Sequence, residues 1–165
     1  MPQPEDHAQH VVDQWAVARP GLDVSPVLVI GRLHRVALAL TTELVKVYNA
    51  HGLGEGDFDV LATLRRTGEP YELTPTELMD QTMVTSGAVT KRLDRLEGAG
   101  LVERRVADGD RRSRIVVLTV RGRELIDRAA AEHFANEARL LEPLTSSERA
   151  TLARLLGKLG ASLGV

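Results

Sequence analysis

The chain contains no cysteine, and this absence excludes several classes of chemistry at once. Disulfide bridges, thiol-based redox sensing, nucleophilic cysteine catalysis and cysteine-ligated zinc are all ruled out. Aromatic residues make up only 3% of the 165 residues. No apolar run approaches the roughly 18–20 residues that a membrane-spanning helix requires. We therefore expect a globular protein of the cytoplasm, with one domain over residues 1–165.

Motifs typical of enzymes are also missing from the sequence. There is no glycine-rich phosphate loop, no Gly-x-Ser-x-Gly nucleophile elbow and no set of His and Glu residues at metal-ligand spacing. His7 and His10 lie close to the N-terminus, where three ligands would make a poor cage for a metal ion. The sequence thus predicts no catalytic residue, no metal and no cofactor.

What the sequence does contain is an uneven distribution of charge. The net charge is −2, yet residues 82–114 hold eight Lys or Arg against five Asp or Glu, so this segment carries +3 and the remainder −5. A basic patch on an acidic body is typical of a site-specific DNA-binding protein. A charged stretch that is simply solvated would give the same count. The neighbouring motifs therefore have to decide between a DNA-binding segment and a solvated one.

Helical periodicity flanks the basic segment on both sides. A first helix is predicted over residues 5–18, and a second begins at Ser25 and Pro26 and runs for about 25 residues to Gly52. After the segment, helices are predicted over residues 120–141 and 146–163. Thr145 and Glu148 form a capping box at the start of the last helix.

The middle of the chain predicts two helices joined by a short turn. A third helix, with Asp57 as its cap, precedes them and closes at Gly68. Thr74 and Glu77 then form a capping box that opens a short helix to about Gln81. Residues 82–84 make the turn, and a further helix covers residues 85–98.

Two strands rich in Val and Ile follow, over residues 101–107 and 114–119, and a polar turn at 108–113 makes them a hairpin. A short helix, a turn, a second helix and a basic hairpin constitute a winged helix-turn-helix. The sequence therefore predicts a mainly α fold with a small β-hairpin wing. Residues 57–119 form the DNA-binding lobe, and residues 5–51 and 120–163 form a helical dimerisation region.

The helix over residues 85–98 presents small polar and basic side chains opposite its apolar face. Hydroxyl groups can contact base edges, and Lys reaches bases or phosphates. At the wing, an Arg can enter the electronegative minor groove, held in position by a carboxylate. Solvated side chains are the alternative. The predicted DNA-contacting residues are Thr85, Ser86, Gly87, Thr90, Lys91, Arg95, Arg111 and Arg112, with Asp110 supporting Arg112.

These segments resemble the MarR family of bacterial transcription regulators. The resemblance is carried by TSGAVTKRLDRL at 85–96, GLVER at 100–104, DRRS at 110–113, LT at 118–119 and Gly122, and it covers residues 57–125. It implies an obligate homodimer in which the terminal helices of both chains interleave. This agrees with the leucine stripes of the flanking helices, which lack sufficient partners within one chain.

A narrower resemblance links the chain to the urate-responsive members of that family. These members have an extra N-terminal helix with a Trp, an Asp before the helix-turn-helix and an Arg 33 positions later. Trp15, Asp59 and Arg92 match this pattern, whereas Thr67 replaces the Asn of the subgroup. The resemblance implies a ligand pocket lined by these four residues. The alternatives are that Trp15 only packs, that Asp59 and Arg92 are only a structural ion pair, and that ligands bind in the cleft common to the family.

The function that we predict is a dimeric winged-helix repressor of operator DNA. Its affinity for DNA falls when a small anionic or aromatic effector binds to it, and urate is the candidate that the resemblance suggests. The rival prediction is a helical dimerisation module that engages protein partners without binding DNA. A module of that kind would not need Lys91, Arg111 and Arg112 at these positions.

Overall fold

The structure is a computed structural model that describes residues 6–82, 89–107 and 110–164, with the backbone alone at Val89, Ala107 and 110–113. The chain divides into two compact units, residues 1–43 and 44–165. Seven helices and three strands are present in the described residues. The helices are α1 (His7–Ala18), α2 (Val27–Ala50), α3 (Glu55–Arg66), α4 (Pro75–Gln81), α5 (Val89–Gly98), α6 (Val120–Leu140) and α7 (Ser146–Leu163), and the strands are β1 (Glu72–Leu73), β2 (Val102–Ala107) and β3 (Asp110–Leu118).

The predicted order of helices and the mainly helical fold class are confirmed. The first helix begins two residues later than predicted, because Asp6 is its N-cap and accepts a hydrogen bond from the amide of Ala8 at 3.2 Å. Asp6 also accepts from Arg32 Nε of α2 at 3.1 Å, and this hydrogen bond holds the pKa of the Asp6 carboxyl below its usual value. Both contacts lie within the first unit. No helix in the described part of the chain is long and apolar enough to cross a membrane.

Capping boxes fix the starts of two further helices as predicted. The Thr74 hydroxyl accepts from the Glu77 amide at 3.2 Å, while the Glu77 carboxylate accepts from the Thr74 amide at 2.8 Å. Thr145 and Glu148 make the same pair of bonds at the start of α7. Each box satisfies backbone groups that a helix leaves unpaired at its first turn.

The prediction of Asp57 as the cap of α3 is wrong. The N-cap is Gly54, three residues earlier, and the Asp57 carboxylate accepts a hydrogen bond from the Gly54 amide at 2.8 Å. Glycine has no side chain, so only one half of the reciprocal box is formed. Sequence reasoning favoured Asp57 because aspartate is a stronger capping residue than glycine.

The strands form one antiparallel sheet in the order β1-β3-β2. Strand β1 has only two residues, too few for a periodic pattern, and the sequence analysis missed it. The polar turn predicted over 108–113 is also too long, because β3 already begins at Asp110 and pairs there with Ala107. Polarity along this segment indicates exposure, which a strand of a projecting hairpin has as much as a turn does.

The core of the second unit lies where α3, α4, α5 and α6 meet the sheet. Its fully buried side chains come from all of these elements: Leu61 and Leu64, Leu78, Leu96, Ile126 and Val116. Gly122 at the start of α6 allows a close approach to the sheet, since a Cβ there would lie 2.0 Å from the carbonyl oxygen of Leu101. This contact accounts for the glycine in the pattern noted above.

Candidate functional site

Helix α5 packs its apolar face on the lobe and turns polar side chains outward. Leu93 and Leu96 are buried, whereas Thr90 and Lys91 are exposed. The exposed positions agree with the face predicted to read DNA. Three further predicted contacts, Thr85, Ser86 and Gly87, lie outside the described residues.

Arg95, another predicted DNA contact, donates to a buried carboxylate of the lobe. Its Nε lies 3.2 Å from Oδ1 of Asp57, and its Nη2 donates to the same oxygen. The Arg95 side chain is 60% exposed, while that of Asp57 is only 3% exposed. From the sequence, Asp57 is predicted only as a helix cap. The two residues are 38 positions apart on different helices, so no local pattern indicates their contact.

Two arginines of β2 are also engaged in ion pairs. Arg104 Nη2 lies 2.6 Å from Asp94 of α5, and Arg105 Nε lies 3.0 Å from Glu103. The hydrogen bonds from Arg105 hold the pKa of the Glu103 carboxyl below its usual value. Together with Arg95, these residues are three of the eight cations counted in the basic segment, so their charges are partly offset within the lobe.

The wing residues Asp110, Arg111 and Arg112 belong to β3, at its outer end. Asp110 pairs with Ala107 of β2, and the side chains of all three residues lie outside the described part of the structure. The predicted support of Arg112 by Asp110 therefore stays a prediction. The ladder shifts its register between Val106 and Ala107, as a β-bulge does, next to these residues.

Arg92 borders the protein body, as its position on the helical wheel predicts. It is partly buried, and its guanidinium lies over Gly56, where a Cβ would come within 2.1 Å of Arg92 Cζ. Its Nη1 is buried and has no hydrogen-bond partner in the described structure. A buried N–H without an acceptor is costly, so this atom is available to a small acceptor.

A cavity of about 380 Å³ lies beside α3 in the second unit. Its floor is a cluster of rings: the centroids of Tyr48 and Phe58 are 4.4 Å apart, and those of Phe58 and His133 are 4.6 Å apart. The Tyr48 hydroxyl lies 3.3 Å from Nδ1 of His133. The residues that line the cavity are Leu44, Tyr48, Glu55, Phe58, Asp59, Ala62, Arg66, His133, Phe134 and Glu137.

The charges around this cavity are mixed. Burial, followed by the neighbouring carboxylates Glu137, Glu55 and Asp59, raises the pKa of Tyr48 to about 12. Arg66 supplies a cation to the lining, and its Nη2 also donates to the carbonyl oxygen of Gln81, the last residue of α4. The cavity therefore offers acceptors for N–H groups, one guanidinium and aromatic faces. Through this hydrogen bond of Arg66, the lining is connected to α4, the helix that precedes the predicted turn of the helix-turn-helix.

The four predicted ligand contacts do not all lie at this cavity. Asp59 lines it, but Thr67 and Arg92 are not among its described lining residues. The Thr67 hydroxyl donates to the carbonyl oxygen of Thr63 at 3.0 Å at the end of α3. Trp15 belongs to the first unit, on α1, and is 44% exposed. The aromatic members of the lining and the carboxylates Glu55 and Glu137 were missed, because the lining comes from three separate helices.

Comparison with known proteins agrees with this geometry. The sequence model of the MarR family matches residues 51–113. The transcriptional regulator PecS of Dickeya dadantii is 45% identical over 148 residues, which are 90% of this chain and 89% of PecS. The transcriptional repressor YetL of Bacillus subtilis is 30% identical over 118 residues, 72% of this chain and 70% of YetL.

Among solved structures, a point mutant of MarR from E. coli complexed with operator DNA superposes with a TM-score of 0.71 at 30% identity. The match covers 84% of this chain and 99% of that one. These relatives are transcription regulators, not enzymes, and they do not support the rival prediction of a module without DNA binding. The chain therefore belongs to the MarR family of winged helix-turn-helix transcriptional regulators and is a DNA-binding protein.

Proposed function

We propose that the protein is a ligand-responsive repressor that acts as a homodimer in the cytoplasm. It binds a pseudo-palindromic operator and leaves it when a small planar molecule binds beside α3. The observation that carries this proposal is the cavity, because one helix, α3, both lines the cavity and contacts the helix that faces the DNA. Helix α3 supplies Phe58 and Asp59 to the cavity, and its residue Asp57 contacts the DNA-facing helix α5.

The chemistry of the cavity favours an aromatic ligand with both N–H donors and an acidic function. Rings stack on Tyr48 and Phe58, while Glu55 and Asp59 accept hydrogen bonds from ring N–H groups. A guanidinium binds a planar anion through its fork, and Arg66 is placed for this. Urate has N–H groups, carbonyl oxygens and a delocalised negative charge, and we propose a urate-like effector.

Trp15, Thr67 and Arg92 remain proposed ligand contacts on the strength of the sequence resemblance. Arg92 has independent support, since its buried Nη1 lacks an acceptor in the described structure. In the proposed switch, the ligand accepts a hydrogen bond from this guanidinium and thereby alters the tilt of α5. A coupling typical of two linked sites, about 1–3 kcal/mol, would weaken DNA binding by roughly 5- to 150-fold.

The homodimer is supported by helix α7. None of its 18 residues is buried in the single chain. An amphipathic helix of this length requires a partner for its apolar face. The leucines that we propose to pack against a second copy of the chain are Leu152, Leu155, Leu156 and Leu163, which are 39–71% exposed.

With the exception of Arg95, the operator contacts that we propose are those of the sequence analysis. Thr90 and Lys91 read base edges from the exposed face of α5, with Thr85, Ser86 and Gly87 before them. Arg111 and Arg112 of the wing follow the backbone and the minor groove. The test is a gel shift with the intergenic DNA upstream of the gene that encodes this chain, followed by titration of urate into the complex.

The same titration with variants locates the ligand. We expect Asp59→Asn and Arg92→Ala to raise the urate concentration needed for release by at least tenfold, with Trp15→Phe intermediate. Glu132→Gln, a carboxylate of α6 outside the cavity lining, is the matched control. Release that is unchanged in all three variants would overturn the site. Failure of urate alone, with release by another planar compound, would overturn only the choice of ligand.

A further inference from the structure

Two arginines on one face of α5 contact the first turn of α3. Arg92 and Arg95 are three residues apart, so they lie on the same side of the helix. Arg95 donates twice to Oδ1 of Asp57, and Arg92 lies over Gly56. The other oxygen of the Asp57 carboxylate accepts from the Gly54 amide at 2.8 Å. Both oxygens are thus engaged within the lobe.

We propose that Asp57 is a positioning residue for DNA recognition, which sets the orientation of α5 through Arg95. On this proposal Arg95 influences DNA affinity through its contact with Asp57 and makes no contact with the DNA itself. This replaces the direct DNA contact that the sequence analysis assigned to Arg95. It goes beyond the proposed ligand response and does not depend on it.

The first reason is the cost of separating the pair. The Asp57 side chain is only 3% exposed, so its charge cannot be solvated if Arg95 turns away towards a phosphate. A buried charge that loses its partner is strongly destabilising, whereas an exposed cation binds phosphate without such a loss. The pair therefore holds Arg95 on the protein.

The second reason is the fit of the turn that carries Asp57. Any side chain at residue 56 would overlap the Arg92 guanidinium, because a Cβ would lie 2.1 Å from both its Cζ and its Nε. Gly56 thus leaves space for the Arg92 guanidinium, and the next residue, Asp57, supplies the negative charge that binds Arg95. Arg95 is hydrogen-bonded to Asp57 and Arg92 packs over Gly56 beside it, so both contacts favour one rotation of α5 about its own axis.

Lys91 provides the matched control on the same helix. It is a cation of equal charge, is exposed and lies on the face opposite the buried leucines. A residue that contacts phosphate reduces the slope of log affinity against log salt by about 0.9 when it is neutralised, because it releases a counterion. A residue that only positions the helix changes affinity and leaves that slope unchanged.

The experiment measures affinity across a salt titration, with the full chain and a duplex selected for binding from a random library. The variants are Arg95→Gln, Arg95→Lys, Asp57→Asn, the double variant of Asp57→Asn and Arg95→Gln, and Lys91→Gln. We expect Arg95→Gln to weaken binding by roughly 2- to 150-fold, the range of contacting pairs, with an unchanged salt slope. Arg95→Lys should not restore the affinity, because the flexible ammonium lacks the planar arrangement by which Nε and Nη2 of the guanidinium both donate to Oδ1 of Asp57.

The double variant decides the route. We expect it to bind no more weakly than Asp57→Asn alone, since the two changes break one interaction. Two results would overturn the proposal. One is a fall in salt slope for Arg95→Gln equal to that for Lys91→Gln. The other is that Arg95→Gln costs the same affinity in the Asp57→Asn background as in the wild type. Should Asp57→Asn fail to fold by circular dichroism, the slopes of the two Arg95 variants decide alone, because Arg95 is mostly exposed.

Discussion

At the scale of single residues, the Tyr48 side chain of the cavity lies in an environment that disfavours its ionisation. It is 6% exposed, stacks on Phe58 and has its pKa raised to about 12, mainly by burial. An ionised phenolate would have to remain in this apolar setting beside carboxylates. The native state therefore favours the neutral phenol.

This environment predicts how stability depends on alkaline pH. Because the native pKa lies above the unfolded value of 10.0, the stabilisation is complete below pH 10 and is lost as pH rises towards about 12. The free energy of unfolding should fall by about 2 kcal/mol across this window. Denaturant melts at several pH values measure it.

Tyr48→Phe is the control for this prediction, because phenylalanine keeps the ring and cannot ionise. The variant should lose most of the fall in stability above pH 10. Absorbance of the phenolate should show a titration near pH 12 in the wild type that is missing from the variant. A loss of phenolate absorbance near pH 10 on the Tyr48→Phe substitution would contradict the burial of Tyr48.

Gly122 is the second residue with a specific structural requirement. The Cβ of an alanine would lie 2.0 Å from the Leu101 carbonyl oxygen, which is backbone and cannot rotate away. Gly122→Ala should therefore lower the free energy of unfolding by roughly 1–3 kcal/mol, as overpacking does. Gly98→Ala is the control, since a Cβ there meets nothing within 4 Å. Equal melting temperatures for the two variants would contradict the close approach.

At the scale of elements, the wing and the DNA-facing helix should contribute differently to binding. Arg112→Ala should weaken binding to all sequences and reduce the salt slope, because it removes a charge near the DNA backbone. Thr90→Ala should instead alter which sequences bind, and Lys91→Ala should alter them and also reduce the salt slope, because Lys91 is a cation on the DNA-facing side of α5. For each variant, selection of duplexes from a random library measures the sequence preference, and a salt titration of the complex measures the salt slope.

Arg105→Ala is the control for the wing. Arg105 is also basic and belongs to the same hairpin, but it is paired with Glu103 at 3.0 Å. Its removal should change the salt slope little, since its charge is already partly offset. An Arg112→Ala variant that binds as tightly as wild type across the salt series would show that the wing does not touch DNA.

At the scale of the whole molecule, the exposed leucines of α7 predict an obligate dimer with an interface above about 2,000 Å². The midpoint of unfolding should rise with protein concentration, because association stabilises only the folded chain. Leu155→Lys should lower the dimer fraction in sedimentation equilibrium and weaken operator binding. A monomeric mass of wild type at micromolar concentration would contradict the prediction.

A dimer of this kind also constrains its operator. Two recognition helices related by a two-fold axis enter major grooves about one turn, roughly 34 Å, apart. The operator should then be a pseudo-palindrome of about 16–20 base pairs. Footprinting of the complex, with a half-site duplex as control, measures its length and symmetry.

The sequence by itself determined the elements and their order, because these depend on local chemistry. Capping boxes at Thr74 and Thr145 mark helix starts through bonds between residues three positions apart. The alternation of apolar and polar residues likewise predicted the exposed face of α5. The prediction missed β1 because it is short, missed the outer end of β3 because its polarity is that of a turn, and placed the cap of α3 at Asp57 in place of Gly54.

Only the tertiary structure decided which residues meet. The contact of Asp57 with Arg95 joins residues 38 positions apart, and the cavity draws its lining from three helices. Such contacts depend on how helices pack, and helical periodicity specifies a face without specifying its neighbour. For this reason the sequence assigned Arg95 to the DNA, while packing placed it on a buried carboxylate of the protein.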